Sequence, residues 1–349
     1  MTPVEIYPPM LRPLRFLLLS GTALVAACGG EASPGGDHSL RAALLTAGPV
    51  SDAGWYAGAY EGLLLIEDSL GAEVSHQQTR TPAEFDEAFL AYASSGYDLV
   101  FAHGFEYQDA AVRAGEQFPK TTFIVSGGGR VAENVVPLIF RLEEGSYLAG
   151  MAAAGMSEAG IVGMVGGVAI PPAVTTFRAF EAGARAVDPD IEVLEAYTGD
   201  WDDVAAAKEA AVAQLSRGAD VLIHNVDAAS FGVFQAVREA VAGGRTAWAV
   251  GMNRDQNDVA PDVIVGSAVI RIPEAFLHTA LAWQAGEVGG RPIYSGMVQG
   301  IVDFVINPEL ADRFPAEVVV AIDEARELIR AGRLEVPHVR TVEGGAGVR

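Results

Sequence analysis

The sequence is poor in cysteine and in positive charge. Cys28 is the single cysteine among 349 residues, which excludes an intramolecular disulfide. Lys and Arg together number 23 against 45 Asp and Glu, for a formal net charge of -22. Binding to DNA or RNA requires a basic face that neutralises phosphates. The charge balance therefore argues against a nucleic-acid partner, and we attribute most of the acidity to solubility.

The sequence also lacks the compact motifs of several enzyme classes. Glycine runs at 127–129 and 166–167 follow predicted strands, but neither continues as Gly-x-Gly-x-x-Gly. There is no Walker A loop, no His-Glu-x-x-His pair, no metal-spaced Cys/His set and no Gly-x-Ser-x-Gly elbow. His103 and His224 end predicted strands, and we interpret both as hydrogen-bonded polar residues and not as catalytic bases. We therefore expect no cofactor, no metal and no enzymatic activity.

The first 27 residues have the features of a secretory signal peptide. Arg12 and Arg15 precede an apolar run over residues 16–27. This run is too short to span a bilayer of about 30 Å as a permanent helix, and it has the length of a signal-peptide core. We therefore predict a cleaved signal peptide over residues 1–27 and an exported protein.

The end of this run predicts a lipid anchor. The small residues Ala26 and Ala27 directly precede Cys28, an arrangement that resembles a bacterial lipobox, in which the Cys becomes the lipid-modified first residue of the mature chain. The alternative is a stray thiol behind an ordinary signal peptide. Residues 28–39 are rich in Gly, Ser and Pro and are interpreted as a flexible tether that keeps the folded part clear of the membrane.

The remainder of the chain predicts an α/β fold with two lobes. From Leu40 onward, short runs of Val, Ile, Leu and Phe alternate with amphipathic stretches of helical period, as in repeated β-α units that feed a parallel sheet. The alternation occurs twice, and a chain of this length with 50% apolar content can bury two cores. We assign residues 40–141 and 272–296 to an N-terminal lobe, 142–271 and 297–335 to a C-terminal lobe, and 336–349 to a tail.

The hydrophobic pattern also gives approximate element bounds. Strands are predicted over residues 41–48, 73–78, 99–103, 122–126, 136–140, 161–165, 192–197, 221–225, 247–251 and 263–270. Helices are predicted over residues 56–70, 82–95, 108–117, 147–156, 174–187, 204–217, 231–241 and 316–331. Ligands of doubly wound sheets bind beyond the carboxyl ends of the strands, so the loops that follow the strands contain the candidate site residues.

The loops after the strands carry a family resemblance. They cover residues 48–55, 104–110, 140–150, 166–172, 197–203 and 251–256, and the most specific of them contains Glu-Glu-Gly-Ser-Tyr-Leu-Ala-Gly over 143–150. Together they resemble the basic membrane protein family of lipoproteins, the purine-nucleoside receptor type of ABC-transporter solute-binding protein, over roughly residues 40–331. The resemblance implies a type I periplasmic-binding-protein fold, with two doubly wound parallel-sheet lobes, a hinge and three interlobe crossings. It implies a monomer that binds a nucleoside or purine base and delivers it to an ABC permease.

The resemblance assigns two aromatic residues to the ligand. Trp55 and Trp201 match the aromatic residues that stack on the base from opposite lobes, and both lie in loops rich in Gly and Asp. Stacking of a base on an aromatic ring is worth about 1–3 kcal/mol and accepts any purine or pyrimidine. The alternative for each tryptophan is packing in the core or hinge.

The resemblance also assigns polar ligand contacts. Asp52 and Asp109 match acidic residues that contact ribose or base, although Asp109 is also suited to cap a helix. Asp227 and Asn253 follow later strands, where the family has a small residue and an acidic residue respectively. Tyr56 stands where the family usually has asparagine.

One further family position departs from the pattern. Ile270 occupies the place of a lysine that contacts ribose in many members, and Arg271 is the candidate substitute, although strand alternation directs it to the opposite face. The short spacing from Asp52 to Trp55 resembles a branch of the family with a Gly-Pro-Val-x-Asp-x-Gly-Trp loop, and this resemblance implies a free purine base as an alternative ligand. Two other functions remain open, a nucleoside-hydrolysing enzyme that uses Asp52 and Asp109, and a ligand sensor for a membrane receptor.

Overall fold

The structure is a computed structural model that describes residues Ser39–His338 apart from Ala53. The predicted signal peptide, the lipid anchor at Cys28, the tether up to residue 38 and the tail beyond His338 lie outside the described residues. Within the described range, no helix is long and apolar enough to cross a membrane.

The N-terminal lobe is built on a six-stranded sheet. Its strands are β1 (Arg41–Thr46), β2 (Glu73–Gln78), β3 (Leu99–His103), β4 (Thr122–Ser126), β5 (Val135–Phe140) and β11 (Ile293–Ser295). They are all parallel and lie in the order β11-β5-β4-β3-β1-β2. The helices of this lobe are α1 (Trp55–Leu70), α2 (Pro82–Ser94), α3 (Gln108–Gln117) and α8 (Ile272–Gln284).

The C-terminal lobe repeats this arrangement. Its strands are β6 (Ile161–Gly166), β7 (Glu192–Tyr197), β8 (Val221–Asn225), β9 (Trp248–Asn253), β10 (Ile264–Ile270) and β12 (Val302–Ile306). They lie in the order β12-β10-β9-β8-β6-β7, with β12 antiparallel to β10 and the others parallel. The helices are α4 (Leu142–Met156), α5 (Pro171–Val187), α6 (Val204–Ser216), α7 (Ser230–Ala242) and α9 (Ala316–Arg330). The two-lobed α/β fold predicted from the sequence is confirmed.

Each sheet is covered by helices on both faces, which explains the apolar runs of its central strands, such as β3 and β8. In β1, Ala42 and Leu44 belong to one core cluster together with residues of α1 and α8. The alternating residues Ala43 and Leu45 belong to a second cluster, which contains residues of α2 and α3. Because successive side chains of a strand point to opposite faces, a strand buried on both faces is apolar at every position.

The two lobes are joined by three chain crossings. The chain passes from β5 to α4, from β10 to α8, and from β11 to β12. The crossings are hydrogen-bonded to one another: the backbone N–H of Arg141 donates to the carbonyl of Ser295 at 2.9 Å, and that of Arg271 donates to Ile301 at 2.7 Å. The hinge is therefore a set of adjacent, mutually bonded segments.

Glycines bring α4 and α5 unusually close together. A Cβ on Gly150 of α4 would collide with the carbonyl oxygen of Phe180, and a Cβ on Gly183 of α5 would collide with that of Tyr147. Both glycines are therefore required by the close approach of the two helix backbones. Gly150 closes the Glu-Glu-Gly-Ser-Tyr-Leu-Ala-Gly run, so part of this sequence signature serves helix packing.

Several predicted bounds are wrong, for identifiable reasons. The helix predicted from residue 147 begins at Leu142, because two glutamates occupy its first turn, where the helix dipole favours negative charge. The helix predicted from residue 174 begins at Pro171, and proline suits the first turn because no intrahelical N–H is needed there. The three-residue strand β11 was not predicted. Val336, assigned to the tail, is only 1% exposed and belongs to the core.

Candidate functional site

A cavity of about 940 Å³ lies between the two lobes. Its lining includes the loops that follow β1 and β3 in the N-terminal lobe and β8 in the C-terminal lobe. In each lobe the strand order reverses between the first strand and the third, and ligands of open α/β sheets bind at such a switch point. The cavity is therefore in the position that the fold favours for a ligand.

Two tryptophans line the cavity from opposite lobes. Trp55, the first residue of α1, stacks on His103 with ring centroids 3.8 Å apart and meets Phe140 edge-on. Trp201 lies in the loop between β7 and α6, where its carbonyl accepts hydrogen bonds from the N–H groups of Asp227 and Ala229. His103 covers one face of the Trp55 ring, so a ligand can contact this ring only from the side that faces the cavity.

Glycines after the strands make room for cavity side chains. A Cβ on Gly167, which follows β6, would collide with the ring of Trp201. A Cβ on Gly48, which follows β1, would collide with the ring of Tyr56. These rings therefore lie directly on backbone, and a methyl group at either glycine would push a ring toward the cavity.

The cavity also has hydrogen-bonding groups from both lobes. Tyr56, Asp227, Asn225 and Asn253 line it, and Asn225 donates through Nδ2 to Oγ1 of Thr176 at 2.9 Å. Asn253 ends β9 with a φ of 68°, a left-handed conformation that asparagine tolerates better than most residues. Burial raises the pKa of the Tyr56 hydroxyl, so this group stays a neutral donor.

Asp52 supports the cavity wall and is not among the residues that line the cavity. Its carboxylate accepts hydrogen bonds from the backbone N–H groups of Tyr56 at 2.9 Å and Ala57 at 2.6 Å. Burial nevertheless raises its pKa. These bonds satisfy free donors at the start of α1 and fix the position of Trp55.

Besides Asp52, two more residues assigned to the ligand do not line the cavity, and these assignments are corrected. Asp109 is 62% exposed at its side chain and forms an ion pair with Arg130 at 3.1 Å. Arg271 is exposed and donates through Nη1 to the carbonyl of Gly300 at 2.6 Å. Its neighbour Ile270 lines the cavity instead, as the alternation of side chains along β10 requires.

Glu106 lines the cavity and was missed in the sequence. A short 3-10 turn, Phe105–Tyr107, follows β3 and delays the start of α3 until Gln108. This turn, and not the first turn of α3, brings a carboxylate to the cavity. The Glu106 side chain is open to solvent on the side that faces the cavity, and many protein atoms lie around its other sides. This partial burial raises its pKa.

The hinge side of the cavity contains an arginine held by two glutamates. Arg141 pairs through Nε with Glu143 at 3.3 Å and through Nη1 with Glu144 at 3.2 Å. Burial raises the pKa of Glu143 to about 7. Among the described residues that line the cavity, Arg141 is the only Lys or Arg, and it is engaged by these carboxylates.

The two strand-end histidines are neutral structural residues. Burial lowers the pKa of His103 to about 3, and its ring packs beneath Trp55. Burial also lowers the pKa of His224 to about 4, and its Nε2 lies 2.8 Å from Oε1 of Gln256. Between Ser39 and His338, no group of three or more His, Cys, Asp or Glu residues could hold a metal ion.

The lobes touch each other beside the cavity. Arg254, directly after β9, pairs with Glu61 of α1 at 3.0 Å. A Cβ on Gly54 would lie 3.4 Å from that of Asn253, within van der Waals contact. The described conformation therefore has its lobes in contact along one edge of the cleft.

Comparison with known proteins identifies the family. Residues 39–339 match the family model described as Bmp, ABC transporter substrate-binding protein PnrA-like. A purine-binding protein of Brucella abortus is 27% identical over 301 residues, which cover 85% of this chain and 83% of the relative. A transcriptional activator protein of Bacillus subtilis is 26% identical over 298 residues, which cover 85% of this chain and 91% of the relative.

Solved structures agree with the fold. The solute-binding protein of an ABC transporter system from Aeropyrum pernix superposes with a TM-score of 0.78 at 21% identity, covering 87% of this chain and 94% of its own. A solute-binding protein from Conexibacter woesei gives a TM-score of 0.69 at 25% identity, covering 86% and 99% respectively. The chain belongs to the Bmp family of PnrA-like ABC transporter substrate-binding proteins.

Proposed function

We propose that this protein binds a purine nucleoside or a free purine base between its lobes and delivers it to the permease of an ABC importer. The observation that carries the proposal is the pair of tryptophans, Trp55 and Trp201, which line one cavity from opposite lobes. A flat heteroaromatic ligand presents two faces for stacking, and every purine has such faces. The relative named as a purine-binding protein supports this ligand class.

The polar lining favours an uncharged ligand. Asn225, Asn253, Glu106 and Asp227 offer amide and carboxyl groups for ring nitrogens, exocyclic groups or ribose hydroxyls. Phosphate recognition calls for Arg or Lys, and the cavity arginine is already engaged by glutamates. The lining therefore suits a nucleoside or base better than a nucleotide.

Lipid anchoring at Cys28 belongs to the same proposal. Relatives named basic membrane proteins in Borrelia, one of them 27% identical over 94% of this chain, are consistent with membrane association. We expect Cys28→Ser to release the protein from the membrane into the soluble fraction. Unchanged membrane fractionation of this variant would contradict the anchor.

The decisive experiment is a ligand screen on the purified protein. Adenosine, guanosine, inosine and their free bases are tested for thermal stabilisation, with the corresponding monophosphates, glucose and an amino acid as controls. A ligand at 100 times its dissociation constant adds about 2.7 kcal/mol to apparent stability. Stabilisation by a sugar or amino acid alone would refute the purine assignment and leave the fold and family intact.

Two other functions are separated by further measurements. A hydrolytic role for Asp52 and Asp109 finds no support, because Asp109 is ion-paired at the surface and Asp52 is bonded to the start of α1. A sensing role is favoured by the relative named as a transcriptional activator. Uptake of labelled purine that persists in a deletion strain would favour sensing, and lost uptake would favour transport.

A further inference from the structure

The cavity extends beyond its two tryptophans to the hinge side of the molecule. Its volume of about 940 Å³ lies near the upper end of the range for drug-sized ligands, about 300–1,000 Å³, and a free purine base is a much smaller molecule. Part of the lining comes from β11, from the crossing between β11 and β12, and from the end of α9 with the segment that follows it. We refer to this part of the cavity as the side chamber.

The walls of the side chamber are apolar and come from both lobes. Its apolar lining residues are Ile139, Pro292, Tyr294, Val298, Ile329 and Leu334. Ile139 and Tyr294 are partners in the register of β5 and β11, so their side chains lie on the same face of the N-terminal sheet. Ile329 and Leu334 come from the C-terminal lobe, so the side chamber is formed only where the two lobes meet.

Two apolar side chains of the side chamber are exposed to water. Tyr294 is 52% exposed, and Val298, at 63%, is the most exposed large apolar side chain among the described residues. Ile329, in contrast, is only 4% exposed and belongs to the core. The side chamber thus combines a buried apolar wall with apolar surface that a bound molecule can cover, as in ligand-binding grooves.

The side chamber is connected to the tryptophan site through the first crossing. Phe140 lines the cavity and meets Trp55 edge-on, with ring centroids 5.8 Å apart. The next residue, Arg141, also lines the cavity, and its backbone N–H donates to the carbonyl of Ser295, the neighbour of Tyr294. A ligand that stacks on the tryptophan can therefore reach the side chamber along this crossing.

The side chamber stays open while the lobes touch. Arg254 pairs with Glu61 across the cleft, and a Cβ on Gly54 would be in contact with that of Asn253. None of the apolar residues of the side chamber takes part in these contacts, and two of them are exposed in the same conformation. A substituent on a bound ligand therefore has room there without separating the lobes.

The charged groups near the side chamber disfavour an anionic occupant. Arg141 is paired with Glu143 and Glu144. Glu335 adds another carboxylate to the lining, and His338 adds an imidazole. Recognition of a phosphate or carboxylate calls for an available Arg or Lys. The side chamber therefore suits an apolar group that carries no negative charge.

We propose that the side chamber binds an apolar substituent of the ligand, so that the protein takes purine nucleosides with an alkyl or alkylthio group in preference to the unsubstituted ones. The inference rests on the proposed function, because it extends the ligand of that same cavity. The substituent removes from water both its own surface and that of Tyr294 and Val298. Each methylene that becomes buried strengthens binding by about two- to fourfold.

Two series of adenosine derivatives test the proposal by calorimetry. One carries methylthio, propylthio or pentylthio at C5′, and the other carries methyl, propyl or pentyl on the 6-amino group. We expect the affinity to rise with chain length by about two- to fourfold per methylene in the series whose substituent points to the side chamber. If adenosine binds but neither series gains affinity with chain length, the proposal is overturned, and a protein partner becomes the candidate occupant.

Variants of the two exposed side chains locate the effect. The measured quantity is the affinity of the pentyl ligand divided by that of the methyl ligand. We expect Val298→Ser and Tyr294→Ala to lower this ratio by at least about threefold. Val320→Ser is the matched control, because Val320 is 57% exposed on α9 and does not line the cavity, and it should keep the wild-type ratio. An unchanged ratio in both side-chamber variants would show that the chain lies elsewhere and would overturn the proposal.

A probe without a purine separates this inference from the proposed function. The methyl groups of Ile, Leu and Val are isotope-labelled, and the protein is titrated with butyl methyl sulfide while their NMR resonances are followed. We expect saturable shifts at Ile139, Val298 and Leu334 but not at Val320. If these shifts occur and no purine binds, only the proposed function fails. Absence of saturable shifts at the three side-chamber residues would overturn the inference whatever the purines do.

Discussion

Replacement of Trp201 by alanine separates ligand binding from folding. The Trp201 ring lies against the backbone at Gly167, and the two hydrogen bonds of its loop use the Trp201 carbonyl, which alanine retains. We therefore expect the free energy of unfolding without ligand to fall by less than about 1 kcal/mol. Loss of one stacking partner should weaken binding by about 1–3 kcal/mol, or about five- to 150-fold.

Trp55 should behave differently. Its ring packs on His103 and Phe140 and adjoins the core, so W55A should cost about 2 kcal/mol of stability as well as the stacking term. Trp283 is the control, because it bonds to Thr122 away from the cavity. W283A should lose stability and keep its affinity.

The assay is calorimetric affinity measured beside the melting temperature of the unliganded protein. A W201A variant that is strongly destabilised but binds with wild-type affinity would show that this ring supports the fold. The reasoning about the aromatic pair would then be refuted. If W55A, W201A and W283A all bind the ligand with the same affinity, the aromatic pair is refuted as well, because loss of a stacking ring would then have no specific effect on binding.

Three further outcomes follow from the contacts. Gly167→Ala should push the Trp201 ring into the cavity and reduce affinity at least tenfold with a smaller change in melting temperature, whereas unchanged affinity would show that the ring has room to move. Burial in the folded state raises the pKa of Glu143 from 4.5 to about 7, so its contribution to stability is full below about pH 4.5 and is lost as the pH rises to about 7. Denaturant titrations across this pH range should show that E143Q removes up to about 3 kcal/mol of the decline in the free energy of unfolding. If the free energy of unfolding of E143Q falls with pH in parallel with that of the wild type, the raised pKa is contradicted. Glu61→Gln should break the pair with Arg254 and accelerate ligand release in stopped-flow measurements by up to about fivefold, and an unchanged rate would mean that the pair does not hold the lobes together.

Much of the fold was predictable. The central strands, which are buried on both faces, form apolar runs that glycine and polar residues interrupt. The edge strands β2 and β7 are more polar and alternate with helical stretches in the same order. The bounds of β2, β3, β4, β7 and β8 agree with prediction residue by residue. The strand β11 was missed because three residues carry no periodicity. The start of α4 was missed because its first turn is charged, and a charged turn resembles a loop.

The site was predictable as a set of loops but not as a set of side chains. The loops after the strands do supply Trp55, Trp201 and Asp227 to one cavity. Glu106 and Asp109 are only three residues apart, and the 3-10 turn after β3 decides which of them reaches the cavity. Such a turn leaves no clear mark on hydrophobic periodicity, so residue spacing alone selected the wrong carboxylate.

The three chain crossings also determine the order in which the protein becomes complete during synthesis. The N-terminal sheet obtains its edge strand β11 only from residues 293–295, and α8, which packs on α1, begins at residue 272. The first lobe to be synthesised therefore cannot finish folding until most of the second has emerged. Nascent chains halted before residue 272 should expose the apolar face that α8 covers, including Phe101, which stacks on Phe276 in the finished protein. Late completion of this kind keeps the chain unfolded for longer, which is compatible with the export that the first 27 residues predict.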